Sequence, residues 1–256
     1  MLAEQRQRLL LERLARLGAV TISDLSGEWR VSRETVRRDI SALAARGALV
    51  KTHGGAVSLS PNEPHESARE AVNAEGKRAI GLMAATLVQD GATVIVDSGT
   101  TTRHVADALA SRRRLTIYTN DLGVCRRLGR HNENKIVLLG GELLAHEDAT
   151  LGLDTVEMLG RYFADFAFIG VGGITDAGDI TDFTRTGGEL RARMIAAARS
   201  VAVVADHMKF GRTTPVRIGN FEKVRWLITD DAPPRALRTA IEAKGASILI
   251  ATGGRR

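Results

Sequence analysis

The chain has 256 residues, 44% hydrophobic and 26% charged, enough for one large domain or two unequal ones around a real core. Its one cysteine, Cys125, excludes an intramolecular disulfide, and no apolar run reaches the ~20 residues needed to span a bilayer. The opening Met1-Leu2-Ala3-Glu4-Gln5-Arg6 lacks the apolar centre of a secretory signal, so a cytoplasmic protein with no membrane partner is expected. Of the net charge of +6, residues 1–57 carry 10 − 6 = +4, from ten Lys/Arg and six Asp/Glu. That bias is the direction expected of a module that meets phosphates.

Leu9, Leu10, Leu14 and Leu17 recur at helical spacing over residues 5–17, and Gly18 stops the helix. A second short helix begins near Thr21 and buries Ile22, Leu25 and Trp29. A third starts at Ser32, a good N-cap, and runs to about Arg46 with Val36, Ile40 and Leu43 as its apolar stripe. Residues 48–52 read as a strand and Gly54-Gly55 as a turn. Residues 58–66 are polar with two prolines, and the connection is drawn over 58–70.

Beyond the connection, short β-rich runs at 93–96, 115–118, 136–139, 166–171, 201–205, 226–229 and 247–250 alternate with helical segments at 75–88, 101–112, 121–129, 189–199 and 233–244. Such alternation predicts a mostly parallel sheet with helices on both faces. Small, polar and charged residues follow the runs: Asp97-Ser98-Gly99-Thr100-Thr101, Thr119-Asn120-Asp121, Gly140-Gly141-Glu142, Gly172-Gly173 and Asp206-His207-Met208-Lys209. In a parallel sheet they line one edge, where ligands of open α/β sheets bind.

Two helices joined by Arg30-Val31-Ser32 have the form of a helix-turn-helix, with Val31 as the apolar plug. Ser32, Arg33 and Thr35 then stand at the start of the second helix, where base edges are read; Arg forks onto guanine and Thr meets a thymine methyl or a phosphate. Arg37 and Arg38 point about 100° apart, one toward the groove and one toward a flanking phosphate. Lys51 and His53 on the wing reach phosphate or the minor groove. Asp39 is expected to orient an arginine. Charge pattern alone leaves open a set of solvated basic helices that only cap the second domain.

The strings Val31-Ser32, Thr35-Val36-Arg37-Arg38-Asp39-Ile40 and His53-Gly54-Gly55-Ala56 close that gap, because together they resemble the DeoR family of bacterial transcriptional repressors. The resemblance runs over nearly the full chain. Ser26 stands where alanine is usual in the family, a change expected to loosen helix packing slightly, and Trp29 is large for its place before the turn.

The resemblance implies three parts. They are a winged helix-turn-helix at 1–57, a linker at 58–70, and at 71–256 a three-layer α/β domain like the ribose phosphate isomerase and CoA transferase superfold. That last domain would bind a phosphorylated sugar and hold copies of the chain together as a homo-oligomer. No cofactor or metal is expected.

By itself Asp97-Ser98-Gly99-Thr100-Thr101-Thr102 is either a phosphate cradle, made by N–H groups at a helix start with the hydroxyls of Ser98, Thr100 and Thr101, or a plain strand-to-helix turn with Ser and Thr caps. The family resemblance favours the cradle. It also matches at Thr119-Asn120-Asp121, at Gly140-Gly141 and at Asp206-His207-Met208-Lys209-Phe210, with Arg69 and Lys77 at basic positions after the linker. Lys209 would pair with a phosphate or carboxylate, and Asp97, Asn120 and Asp206 with sugar hydroxyls. Glu189 would join them or pair with Arg191. The chain departs from the family at Thr186-Gly187-Gly188, where an acidic residue is usual, and at Met208, where serine is usual.

His146, Glu147 and Asp148 read as a solvated loop rather than metal ligands, and Cys125 as a small hydrophobe in a helix. The regulator reading therefore leads: a double-stranded operator held by the winged helix, and release by a phosphorylated sugar. The alternative is a sugar-phosphate isomerase-like enzyme with Asp97, Glu189 or Asp206 as base, for which fold analogy is a poor warrant. A third reading gives the second domain a purely structural role.

Overall fold

The computed structural model of the chain describes residues 1–58, 66–130, 132–144 and 147–251. The first helix, α1 (Ala3–Leu17), buries Leu10 and Leu14 and stops at Gly18, whose φ of 73° needs glycine. Leu9 of the expected stripe is exposed, and the side chain of Leu17 lies outside the described residues. A strand not expected from the sequence follows, β1 (Ala19–Thr21). Thr21 then caps α2 (Ile22–Trp29) by accepting from the Asp24 N–H at 2.9 Å. Ser32 caps α3 (Arg33–Ala45) in the same way, accepting from the Thr35 N–H at 3.1 Å.

The wing is β2 (Val50–Thr52) and β3 (Gly55–Val57), so its turn is His53-Gly54 rather than Gly54-Gly55. The order β1-β3-β2 is antiparallel, with Ala19 opposite Val57 and Val50 opposite the other side of Val57. The core of this head, including Leu10, Leu25, Val36, Ile40 and Leu43, comes entirely from residues 10–56. Each such side chain contributes roughly 1.5–3 kcal/mol by leaving water.

Residues 59–65 of the expected linker lie outside the described residues, and its end is helical, α4 (Glu66–Ala71). Then come α5 (Ala74–Thr86), β4 (Thr93–Val96), α6 (Thr100–Leu109), β5 (Thr116–Thr119), α7 (Leu122–Leu128), β6 (Lys135–Leu138), β7 (Glu142–Leu144), β8 (Ala149–Leu151) and α8 (Leu153–Leu159). The chain continues through β9 (Ala164–Ile169), β10 (Gly173–Ile174), β11 (Ile180–Asp182), α9 (Arg185–Ala196), β12 (Ala198–Val204), β13 (Val216–Arg217), β14 (Val224–Thr229), α10 (Arg235–Ala243) and β15 (Ser247–Ile250).

All seven expected β-rich runs enter one sheet, ordered β15-β14-β12-β9-β4-β5-β6 with every pair parallel. Alternate residues face opposite layers. Val94, Val96 and Phe168 pack with Ile80, Val105 and Val124 from α5, α6 and α7. Ile95, Ala167 and Ile169 pack with Leu159, Met194 and Ile241 from α8, α9 and α10. The expected three layers are present.

Strand order reverses between β4 and β9, since β4 leads to β5 and β6 on one side while β9 leads to β12, β14 and β15 on the other. Asp97, just past β4, donates its N–H to the Phe168 carbonyl at 3.1 Å. Such a reversal splays the following loops apart and opens a crevice at the carboxyl ends of the strands.

Candidate functional sites

On the head, α3 presents Arg33, Arg37 and Arg38 to solvent. Among the described residues Arg33 reaches only the Ser23 hydroxyl, at 3.4 Å. Arg37 and Arg38 share Glu34 at 3.8 and 3.6 Å, with side chains 55% and 80% exposed. Pairs this loose and wet yield readily to a phosphate or a base edge. Ser32 and Thr35 are joined hydroxyl to hydroxyl at 2.8 Å beside the cap. Lys51 donates to Ser41 at 3.0 Å, and His53 is exposed on the wing turn.

Asp39 does orient an arginine, but one on α1: Arg6 donates to it at 2.6 and 3.2 Å, clamping α1 to α3. Ser26 tightens rather than loosens the turn, because its hydroxyl donates to the Val31 carbonyl at 2.7 Å.

The crevice at the sheet reversal holds ≈ 750 Å³ of space, part of it open to solvent. Its floor is Ser98–Thr102, one wall is Gly170–Gly172, and Asp206, Met208 and Lys209 close another side. Ala19 and Val57 of the head line it too, so both domains form the site. Gly99 has φ +134°, a backbone open to glycine alone, and it turns the chain into α6. Asp97 accepts the Ser98 N–H at 2.8 Å and Asp121 the Gly99 N–H at 3.3 Å. The N–H groups of Thr100–Thr102, in the first helical turn, have no intrahelical acceptor.

The crevice is charged on two sides. Asp97 is buried, and its second oxygen accepts from Arg191 at 2.8 Å and from the Gly170 N–H at 3.0 Å. Arg191 also pairs with Asp182. Burial pushes the Asp97 carboxyl up to about 6, against the pull of Arg191 and the two N–H donors. Across the crevice Lys77, 3% exposed, donates to the Arg69 carbonyl. Burial lowers its pKa, and the nearby Asp206 opposes that. Asp206 caps a short turn at His207–Lys209 by accepting the Met208 N–H at 2.9 Å. Arg212 lies 4.9 Å over the Phe183 ring, and both line the space.

Several expected ligand contacts sit elsewhere. Asn120 and Asp121 are fully buried beside the crevice: Asn120 donates to Ser98 at 3.3 Å and to the Thr150 carbonyl at 3.0 Å, and Asp121 pairs with Arg103 at 2.9 Å. Arg103, a hub the sequence did not mark, also holds Glu66 and the Glu147 carbonyl. Gly140 and Gly141 pack against Thr155, away from the lining. Glu189 is exposed and pairs with Arg185, not Arg191. Arg191, Asp182, Phe183 and Arg212 line the site unforeseen.

His146 lies outside the described residues; Glu147 is mostly buried in a pair with Arg69, whereas Asp148 pairs with Arg126 at the surface, its side chain 39% exposed. Among the described residues no His/Cys/Asp/Glu group could hold a metal, and no helix is long and apolar enough to cross a membrane. Cys125 is half-buried on α7, with its thiol pushed up by burial.

A winged helix-turn-helix that shares a polar crevice with an α/β domain defines a ligand-responsive, DNA-binding regulator. Residues 6–62 match the DeoR-like helix-turn-helix domain, and residues 72–231 match the DeoR C-terminal sensor domain. The chain belongs to the DeoR family of transcriptional regulators. It is 34% identical to the HTH-type transcriptional repressor CsqR of Escherichia coli over 94% of this chain and 93% of that one. It is 33% identical to the glycerol-3-phosphate regulon repressor of Escherichia coli, covering 90% and 92%. Against the HTH-type transcriptional repressor GlcR of Bacillus subtilis the identity is 32%, over 98% and 97%. Among solved structures, ribose 5-phosphate isomerase A of Methanocaldococcus jannaschii overlaps 52% of this chain and 53% of its own, at 18% identity and a TM-score of 0.36.

Proposed function

We propose that this protein is a cytoplasmic repressor of a carbohydrate operon, acting as a homo-oligomer. It is divided into a head at 1–57, a connection at 58–70 and a sensor domain at 71–256. Ser32, Arg33, Thr35, Arg37, Arg38, Lys51 and His53 hold the operator. A phosphorylated sugar enters the crevice and releases it. Its phosphate lies at the start of α6, against Ser98, Gly99, Thr100 and Thr101, with Lys209 as the cation. Asp97 and Asp206 face its hydroxyls, and Asn120 and Asp121 hold the floor in shape.

The observation that carries this reading is the meeting of a helix N-terminus with Lys209 and Lys77 in one crevice between the two domains. The regulator family supports it, as do relatives whose names include a glycerol-3-phosphate regulon repressor.

The test is binding of DNA from upstream of the protein's own gene, at fixed salt, with and without a panel of pentose, hexose and triose phosphates. One compound is expected to weaken binding, and Lys209→Ala to lose that response at unchanged operator affinity. Lys209→Ala with an unchanged effector midpoint overturns the placement of the phosphate.

A further inference from the structure

The wing is seated on the loop that closes the crevice. A Cβ built on Gly54 would lie 2.0 Å from Cδ2 and 3.3 Å from Cγ of His207. One on Gly55 would lie 3.0 Å from the terminal methyl of Met208. The Thr52 hydroxyl faces the Met208 sulfur at 3.9 Å, and the His53 ring centre is 6.4 Å from that of Phe210. Gly54 lies outside the left-handed region, so the imidazole ring, not the backbone, excludes a side chain there.

That ring is held firmly. His207 Nδ1 lies 2.7 Å from an Asp230 oxygen, its N–H donates to the other at 2.8 Å, and Asn73 donates to the same carboxylate at 2.8 Å. On either side of His207-Met208 stand Asp206 and Lys209, which line the crevice.

We propose that the wing seated on the His207-Met208 turn is the effector-bound, operator-released arrangement, with Gly54 and His207 as the positioning residues that couple crevice to wing. This rests on the crevice being the effector site. A ligand that touches walls from two domains favours the form in which those walls are together. His53, one of the groups assigned to DNA, stays exposed on the seated turn, so seating acts on the operator by fixing where the wing stands, not by covering it. By linkage, DNA weakens the ligand by the same factor as the ligand weakens DNA.

The test is a reversible lock, Gly54→Cys with His207→Cys in a Cys125→Ser background. The nearly linear approach of the built Cβ to Cδ2 and Cγ puts the two Cβ atoms within the range of about 3.5–4.5 Å that a disulfide needs. Oxidation is expected to weaken binding to the upstream fragment by about tenfold or more, and reductant to restore it in the same sample. Each single variant should not respond to oxidant. A bridge that does not form, an oxidised protein that binds equally, or one that binds more tightly overturns the inference.

Inorganic phosphate, followed by melting temperature in both redox forms, separates the two readings. Stabilisation that Lys209→Ala removes, with no redox effect on DNA, keeps the crevice reading and sinks the coupling. No stabilisation in either form removes the crevice reading, and with it the assignment of the seated wing to an occupied site.

Discussion

In the head, the cations assigned to DNA stand in water, with Arg37 and Arg38 sharing one glutamate at 3.8 and 3.6 Å. In the sensor domain the charged groups around the crevice are buried and multiply held: Asp97 by three donors, Asp121 by Arg103 and two N–H groups. Exposed pairs contribute about 0–1 kcal/mol, whereas removing one member of a buried pair costs about 3–5 kcal/mol. In the head the groups proposed to meet DNA are not the ones that hold the fold, whereas around the crevice the proposed ligand groups sit on a buried, paired network. A surface that must capture and leave a polyanion needs loose side chains. A site that must tell one small molecule from another needs fixed ones.

Three measurements can break or sharpen that contrast. Arg103→Ala strands the buried Asp121 and should cost about 3–5 kcal/mol in urea unfolding, with loss of the effector response. A loss under about 1 kcal/mol would mean that the buried network is not cooperative.

The next concerns pH. Asp97 has its folded pKa at about 6, above the ordinary 3.8, so protonation favours the folded form. Its contribution is fully present below about pH 4 and declines as pH rises toward 6, by at most roughly 3 kcal/mol at 1.36 kcal/mol per unit. Asp97→Asn should lose that slope, so the gap between wild-type and variant stability in urea unfolding should change by the Asp97 contribution across pH 4–6.5; a gap that stays constant with pH means that Asp97 does not titrate there.

Arg33→Ala should have the smallest effect on folding, within about 0.5 kcal/mol, while relaxing preference at one base pair by about 1–3 kcal/mol in operator-variant binding. A large fall in melting temperature would place Arg33 with the buried groups and erase the contrast.

What was legible in the sequence follows the same division. The seven parallel strands were plain because strands buried on both faces read as apolar runs. The cap Ser32, the helix start near Thr21 and the helix stop at Gly18 were plain because local chemistry decides them. The strand β1 was not, since three residues between two helices gain strand form only by pairing with β3, far along the chain. Helix α8 was not read although α7, of the same length, was; α8 follows the unexpected hairpin of β7 and β8 instead of one of the parallel strands.

Ser98–Thr101, Asp206 and Lys209, expected from their places just past strands, do line the crevice, whereas Asp97 is buried behind that lining, holding Arg191. Glu189 and Arg191 show where sequence reasoning stopped: two residues apart on a helix is about 200° of rotation, so one faces solvent and the other the crevice. Asn120 and Asp121 lie at the right sheet edge but one strand beyond the reversal, where they brace the loop after β4 instead of lining the space.

The contact between Gly54 and His207 spans 207 − 54 = 153 residues of chain. The head, whose core closes within residues 10–56, leaves the ribosome first and folds as a unit. At about 5–20 residues per second, its seat on the sensor domain is made roughly 8–30 s later. For that interval each new copy carries a finished DNA-reading surface with no ligand site behind it. On the proposed function, a nascent chain carries its operator-reading residues before the crevice that governs them exists.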